Sequence, residues 1–524
     1  MSTLALSALA LGITNHLYFK QNEPTAQTFI PTVLFLLTQP LLLVYLAEVS
    51  ISNVLLSYIS FFASLVSSIV IYRLSPLHPL HSVPGPWLAR LTKFWRAYVC
   101  AMGKQYLTLK ELHDHYGPIV RTGPNEGQAY VPRKDARTKG SVLVLNGEDH
   151  RNRRRLWNRG MNTDSLREYE EIIRRRAREL SEALARASKK AGSKGVDLNE
   201  WFSFFSFDFM ADMAFGGGSN MMASGEDEHG YLQMIEDGSR YVDIICQLPW
   251  LSIVLESYVP SMKRAILRLR NFGLKWSTER VQRGGTTKDL WYHLSDEANL
   301  EEDRPALQTI AGEGVLAIIA GSDTTSAALT YTIYYLLRNP ECYKKAREEV
   351  DEVFTGGTVD ALDTKLYGNL DYVAACINES MRLMPPVPCN GPREVSAGGK
   401  VLCGQYLPER TQVQIPPYSI HRNPAHSSPQ TNEYVPERWL PGAEAKGYFT
   451  NADAFIPFSY GPSNCAGRNL AKREMMMVLA MLLQQFDICF GTGEEEQWVE
   501  GWVKRSREYF VTTRDPLWVV LSPR

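Results

Sequence analysis

The chain has 524 residues, 44% hydrophobic and 22% charged, with a formal net charge of -1. That is ordinary globular composition with ample core-forming capacity, and the near-neutral balance argues against nucleic acid as a main partner. The eight cysteines (100, 246, 342, 376, 389, 403, 465 and 489) are scattered without paired spacing, which reads as reduced thiols in a cytosol-facing domain and excludes a disulfide framework.

The first 72 residues differ from everything after them. Leu4–Ile13 is a short apolar run, Phe29–Ala47 a longer one interrupted by Gln39-Pro40, and Ile51–Tyr72 a third with no charge at all. The third has the length that crosses a bilayer core as a helix. Residues 1–72 therefore predict a membrane anchor of one to three transmembrane helices, with 51–72 the best candidate. A cleaved signal peptide and a buried core helix are the rival readings, but no charged start or small-residue cleavage site is evident. Arg73, Arg90, Lys93 and Arg96 follow closely, which by the positive-inside tendency keeps the remaining chain in the cytosol.

Residues 73–86 carry Pro76, Pro79, Pro84 and Pro86 and predict a stiff, non-helical hinge. From 87 to 524 there is no second linker, repeat or low-complexity block, so this stretch reads as one large, mainly α domain with small β-sheets. Periodicity predicts helices at Asp149–Arg159, Ser165–Lys189, Ser261–Arg283, Ala306–Arg338, Pro340–Phe354, Leu370–Leu383 and Asn469–Gln485. Short β-like runs fall at Ile119–Thr122, Gln412–Ile415 and Trp518–Leu521.

Several stretches carry chemistry. Asp149–Trp157, with His150, Arg153, Arg154 and Arg155, is the densest basic cluster; a solvated basic face would look the same. Ala320-Gly321-Ser322-Asp323-Thr324-Thr325 sets an acid and hydroxyls into an apolar helix, where burial without purpose is unfavourable. Gly321 lets another group approach the backbone, and a threonine can back-bond to a carbonyl and open the helix. A helix N-cap is the blander alternative. Glu379 and Arg382 lie one turn apart on one helix face, as many surface pairs do, and Pro436-Glu437-Arg438-Trp439 follows in an extended segment.

The last stretch, Phe458–Arg468, is a Gly/Pro-punctuated loop running into a helix. It places Cys465 where amide groups converge, a setting that favours thiolate and metal ligation. Zinc-finger spacing is absent, and a lone thiolate suits the axial position of a haem iron, although a buried cysteine in a turn would share the pattern.

That loop reads Phe-x-x-Gly-x-x-x-Cys-x-Gly and resembles the haem-binding signature of the cytochrome P450 family, with Phe458, Gly461, Cys465 and Gly467 in place. The resemblance covers roughly Pro84 to the C-terminus, in at least four ordered motifs whose style is most similar to fungal microsomal members. It implies a cytochrome P450 fold behind an N-terminal transmembrane anchor, with 87–524 as the catalytic domain. It implies haem b held by the Cys465 thiolate, Thr324 handling bound oxygen and Asp323 relaying protons. Glu379, Arg382 and Arg438 match a buried triad that supports the haem loop. Arg154, by the pattern Trp-x-x-x-Arg, and Arg393 would pair with haem propionates. His150 replaces the usual Trp and would still donate a hydrogen bond there. The other arginines of the cluster, with Lys472 and Arg473, would form a basic face for an acidic reductase.

Three departures stand out. Ser463 occupies a position usually held by a propionate-binding Arg or His, and Ser459 one usually held by Gly. Only 25 residues separate Pro124 from His150, where the family has a longer stretch that includes a substrate lid. Gly127–Ser141 does not resemble it, which predicts a reduced lid or an incomplete gene product. The acceptor pattern Asn378-Glu-Ser380 lies in a helix on the cytosolic side and reads as a chance match.

The implied reaction inserts one oxygen atom of O2 into a hydrophobic small molecule. The chain has no flavin- or nicotinamide-binding motif, so electrons would come from NADPH through a separate NADPH–cytochrome P450 reductase, with cytochrome b5 as a further donor. The endoplasmic reticulum membrane is the implied location. A haem-thiolate isomerase or dehydratase and a non-catalytic haem protein are the alternatives; the intact Asp323-Thr324 pair argues against the first. A terpenoid or polyketide of fungal secondary metabolism leads as substrate class, ahead of an aromatic xenobiotic.

Overall fold

Two kinds of helix build the chain, and they expose opposite chemistries. The computed structural model describes residues 3–524 apart from 23, 26, 48–49, 51–52, 125–140, 249–250, 252–253, 256–257, 286, 356–359 and 492–495. Most of the predicted short lid, 125–140, thus lies outside the described residues. At the start stand α1 (Thr3–Gln21), α2 (Phe29–Leu46) and α3 (Val54–Leu74). The second and third are long and apolar enough to cross a membrane. Leu42, Leu55 and Ile71 face outwards, whereas Asn15, Gln39 and Ser57 are buried between the helices.

The proline-rich stretch after α3 docks onto the main domain. Leu80 and Val83 pack with Val395 and Leu407, the last on a hairpin of β3 (Lys400–Leu402) and β4 (Gln405–Leu407). The expected strand Ile119–Thr122 is not a strand. Arg121 N–H donates to the Pro84 carbonyl at 2.6 Å, but Pro84 and Pro86 have no N–H to return, so no ladder can propagate.

The main domain is helical. Its elements include α4 (Phe94–Ala101), α5 (Gln105–Tyr116), α6 (Gly147–Gly160), α7 (Thr163–Ala191), α8 (Leu198–Phe215) and α9 (Tyr231–Gln247). They continue with α10 (Pro260–Arg283), α11 (Leu307–Arg338), α12 (Pro340–Val353), α13 (Asp371–Leu383) and α14 (Arg468–Gln485). The predicted helices match within a few residues at each end. Four others of those named went unseen: α4, α5, α8 and α9. The reason is clearest for α8, which buries Phe202, Phe204, Phe205, Phe207 and Phe209 on all sides; a helix apolar all round shows no period.

Helix α8 lies along α11 at close range. A Cβ on Gly314 would come 2.5 Å from the Phe215 ring, and one on Gly321 would come 2.5 Å from Met210 Sδ. The group that Gly321 admits is therefore a core methionine. Small sheets sit at the periphery, among them the pair of β6 (Ser427–Ser428) and β7 (Phe449–Thr450). The largest is antiparallel, in the order β1 (Val196–Asp197), β11 (Trp518–Pro523), β8 (Phe486–Phe490). A hairpin of β9 (Arg507–Tyr509) and β10 (Val511–Thr513) packs near α4, α9 and α11. The run Gln412–Ile415 shortens to β5 (Gln412–Val413), paired with β2 (Arg393–Glu394), because Pro416 and Pro417 follow.

Candidate active site

The cysteine loop is held by its own backbone. Cys465 N–H donates to the Phe458 carbonyl at 2.9 Å and Asn464 N–H to the Gly461 carbonyl at 3.0 Å. Gly461 has φ +79° and Ser459 has φ +60°, both in the left-handed region that favours glycine. Ser459 thus adopts the conformation for which glycine is the easier residue, and its hydroxyl takes up an Arg393 Nη2 hydrogen bond at 3.3 Å.

Cys465 is exposed. Burial of its surroundings is the largest influence and pushes its thiol up; the Gly467 N–H, Arg154 and Arg468 pull it down. The sequence reading expected the loop alone to favour thiolate, and here desolvation outweighs the amides. A coordinating metal ion would supply the missing charge, since a ligating thiol is deprotonated outright.

Three predicted residues converge on this loop. Arg154 of α6 donates from Nη1 to the Asn464 carbonyl at 2.5 Å and from Nη2 to Asn464 Oδ1 at 2.8 Å. Arg393 Nη2 also lies 3.5 Å from the Ser463 carbonyl, beside the position that lacks the usual basic residue. His150 has its pKa lowered by burial and then by the charges of Arg154 and Arg393, and it lines one cleft with Arg154 and Pro462. Among the described residues no carboxylate pairs with any of the three. An open thiol beside two guanidinium groups that no carboxylate pairs with, and a neutral imidazole able to donate a hydrogen bond, fits an iron porphyrin held by a thiolate and carrying anionic propionates.

The wider basic face is smaller than expected. Arg153 is buried, with Nη1 2.5 Å from Glu313 Oε1. Arg155 and Arg159 pair with Glu301, Arg159 also with Asp296 at 3.0 Å, and Arg473 with Glu170. A cleft of about 420 Å³ remains open there, lined by His150, Arg151, Arg154, Arg155, Asn158 and Pro462 among others.

On α11, Thr324 Oγ1 donates to the Ala320 carbonyl at 2.7 Å on an exposed face, the back-bond anticipated from sequence. Ala320 is exposed in the middle of a largely buried helix. Asp323 is part-buried, and burial pushes its carboxyl up to about 6 against the pull of Arg514, with Glu236 adding to the rise. Two residues here escaped sequence reasoning. Arg514 Nη2 donates to Ser326 Oγ at 3.2 Å, and Ser326 donates to the Asp323 carbonyl at 3.1 Å. Glu474 of α14 is 1% exposed, near the Ser206 and Thr325 hydroxyls, and burial drives its carboxyl well above the ordinary range. A lone carboxylate ahead of the Met475–Leu483 apolar run was the available signal.

The triad residues meet at Glu379. Glu379 is fully buried and accepts from Arg382 Nε and Nη2, each at 2.8 Å, and from Arg438 Nε at 3.1 Å. It also accepts from Val435 N–H at 2.9 Å and Trp439 Nε1 at 2.9 Å, partners that sequence did not name.

The chain matches the Cytochrome P450 family profile over residues 95–512. It belongs to the cytochrome P450 family. Among similar proteins is the cytochrome P450 monooxygenase cpaH of Aspergillus oryzae, 31% identical over 86% of this chain and 91% of that protein. Cytochrome P450 67 of Uromyces fabae is 29% identical over 98% of both chains. The trichothecene C-15 hydroxylase of Fusarium sporotrichioides is 28% identical over 87% of this P450 and 95% of its own length. The Aspergillus relative is named as a monooxygenase and the Fusarium one as a hydroxylase, and this P450 is accordingly an oxidoreductase of the haem-thiolate, oxygen-incorporating type. Its α-rich fold with small sheets is that of the family.

Proposed function

We propose that this P450 is a membrane-held monooxygenase that hydroxylates a hydrophobic small molecule of fungal secondary metabolism, a terpenoid or polyketide. The observation that carries the reading is the convergence of His150, Arg154 and Arg393 on the open Cys465 loop. Haem b bound there supplies the activation of dioxygen. Cys465 would hold its iron through the thiolate, with Phe458, Gly461 and Gly467 shaping the loop, and His150, Arg154 and Arg393 would hold the propionates. Thr324 presents a hydroxyl at the exposed turn of α11. Asp323, half-protonated near pH 6 and fixed beside Arg514, holds or releases a proton there. The Glu379, Arg382 and Arg438 triad keeps the loop in place. Electrons arrive from NADPH through NADPH–cytochrome P450 reductase, docking near the α6 cleft, with cytochrome b5 as an accessory donor. The membrane is that of the endoplasmic reticulum, with the catalytic domain in the cytosol.

The test is the carbon-monoxide difference spectrum of the reduced, membrane-expressed protein beside Cys465→Ala. A red-shifted thiolate-type band that vanishes in the variant is expected; a histidine-type band, or none, overturns the assignment. Substrate-dependent NADPH consumption with product then separates monooxygenation from isomerisation and from a non-catalytic haem protein.

A further inference from the structure

We infer that α1 is a third transmembrane helix, packed in register against α3, so that the Thr3 end of α1 lies across the bilayer from the catalytic domain. Hydropathy alone selects α2 and α3; α1 is passed over because it carries Thr14, Asn15 and His16. In the structure all three polar groups find partners, Asn15 and His16 across the bundle and Thr14 on its own helix. Asn15 Nδ2 donates to Gln39 Oε1 at 2.7 Å and Gln39 Nε2 returns a bond to Asn15 Oδ1 at 3.0 Å. The His16 ring lies 2.7 Å from Ser68 Oγ, and Thr14 Oγ1 donates to the Ala10 carbonyl at 2.9 Å. Satisfied this way, polar side chains are tolerated in hydrocarbon and act between helices as interhelical bonds.

The direction of α1 follows from its contacts. A Cβ on Gly12 would fall 2.1 Å from Ser64 Oγ and 2.5 Å from the Phe61 carbonyl, and Ala8 is fully buried beside Phe61 and Leu65. Further along, His16 meets Ser68, and Lys20 Nζ sits 3.9 Å from the Tyr72 ring centroid. Residue numbers rise together on the two helices, so α1 runs parallel to α3 at the same depth. Ala8 and Gly12 form a small-xxx-small seam, which lets membrane helices approach backbone to backbone. Helix α2 runs antiparallel, with Ser57 Oγ donating to the Pro40 carbonyl at 3.1 Å and Tyr58 OH to the Leu37 carbonyl at 2.6 Å. If α3 crosses a bilayer, a helix locked beside it over its length crosses too.

The occupant of the outer faces is lipid. Leu17, Phe35, Leu42, Leu55, Ile59 and Ile71 stand exposed, and the helices have 19, 18 and 21 residues. At roughly 1.5 Å per residue these lengths suit a hydrocarbon core of about 30 Å. Lys20 and Arg73 both lie at the end that joins the catalytic domain, as the positive-inside tendency requires.

The inference rests on the membrane reading above, and the full-length chain in sealed microsomes tests both. A glycan acceptor is fused ahead of Met1, and Thr25→Cys and Ser50→Cys are made singly; residues 1–99 hold no native cysteine. Adducts of a membrane-impermeant maleimide are counted against the parent chain. The expected pattern is a glycosylated acceptor, an added adduct at position 25 in intact vesicles, and one at position 50 only after permeabilisation. An unmodified acceptor with position 50 still protected puts α1 on the catalytic side and overturns the inference. A glycosylated acceptor with position 25 protected leaves α3 alone spanning and also overturns it. Release of the chain by alkaline carbonate would instead overturn the membrane reading itself.

Discussion

Arg514 and Ser326 are joined by a 3.2 Å hydrogen bond from Nη2 to Oγ, and this contact sets a guanidinium beside the acid of α11. The other arginine nitrogens are also engaged, Nε with Asn199 Oδ1 at 2.7 Å and Nη1 with the Thr512 carbonyl at 2.7 Å. The charge is therefore fixed in place, and it opposes the burial that raises Asp323 to about 6. Removing it lets the Asp323 carboxyl rise further. In Arg514→Gln the acidic limb of the pH profile for product formed per NADPH should move upwards, by about one pH unit at most. Arg514→Lys should move it less, and Asp323→Asn should abolish it. An identical limb in all three variants would remove Asp323 from the reaction.

Glu379 gathers five donors, so its loss strands two buried guanidinium groups. Breaking one partner of such a cluster typically costs about 3–5 kcal/mol. Glu379→Gln and Arg438→Ala should each lower the unfolding midpoint on that scale, and both should release haem faster. Trp439→Phe removes one hydrogen bond to a charged group and should cost about 1.5–3 kcal/mol. Denaturant unfolding followed by haem absorbance gives both readouts; a Trp439→Phe effect equal to that of Arg438→Ala would mean packing, not charge, governs the site.

The predicted features that the structure reproduces are those whose information is local. The loop from Phe458 to Gly467 closes on its own backbone bonds, and amphipathic helices such as Thr163–Ala191 display their period in a short window. Arg514 could not be seen from sequence, because it reaches the Asp323 turn from the far end of the chain. Glu313 was hidden for the same reason, its partners lying on α6. Arg153 looked like part of a solvated basic face until Glu313 provided a buried carboxylate. In α1 the polar residues Asn15 and His16 lowered the hydropathy of a helix whose bundle partners, Gln39 and Ser68, take up their hydrogen bonds.

A buried carboxyl with its pKa raised makes the fold pH-sensitive. Glu508 is 1% exposed, and burial, then Asp243, pushes it up to about 8, with Cys389, Arg96 and Gln105 pulling it down. Tyr106 N–H donates to its Oε2 at 3.1 Å and Cys389 Sγ lies 3.1 Å from the same oxygen. The folded state holds this proton more tightly than the unfolded chain does. Stability is therefore greatest below the ordinary carboxyl range and declines as pH rises towards 8, where the folded group ionises. Between pH 5.5 and 8 the contribution lost is about 3 kcal/mol. Asp243, raised to about 6 by burial, adds the same sign at lower pH. Glu508→Gln should flatten the slope of unfolding free energy against pH in that window; an unchanged slope would place the proton elsewhere.

The last prediction concerns the link between α6 and α11. Glu313 accepts from Val142 N–H at 2.9 Å, Arg153 Nη1 at 2.5 Å and Trp157 Nε1 at 2.8 Å. The same helix carries His150 and Arg154 to the cysteine loop, so the lock on one face positions the basic groups on the other. Glu313→Gln leaves Arg153 buried without its counter-charge and should cost about 3–5 kcal/mol, whereas an apolar pair of similar volume is often neutral. Glu313→Leu with Arg153→Met should therefore regain most of the stability. If the lock also orients Arg154, the double variant should still bind haem more weakly than the parent in apoprotein titrations, because the ion pair that ties this face of α6 to α11 is then gone. Parental haem affinity in the double variant would show that the Asn464 and Asn158 hydrogen bonds suffice to hold Arg154 in place.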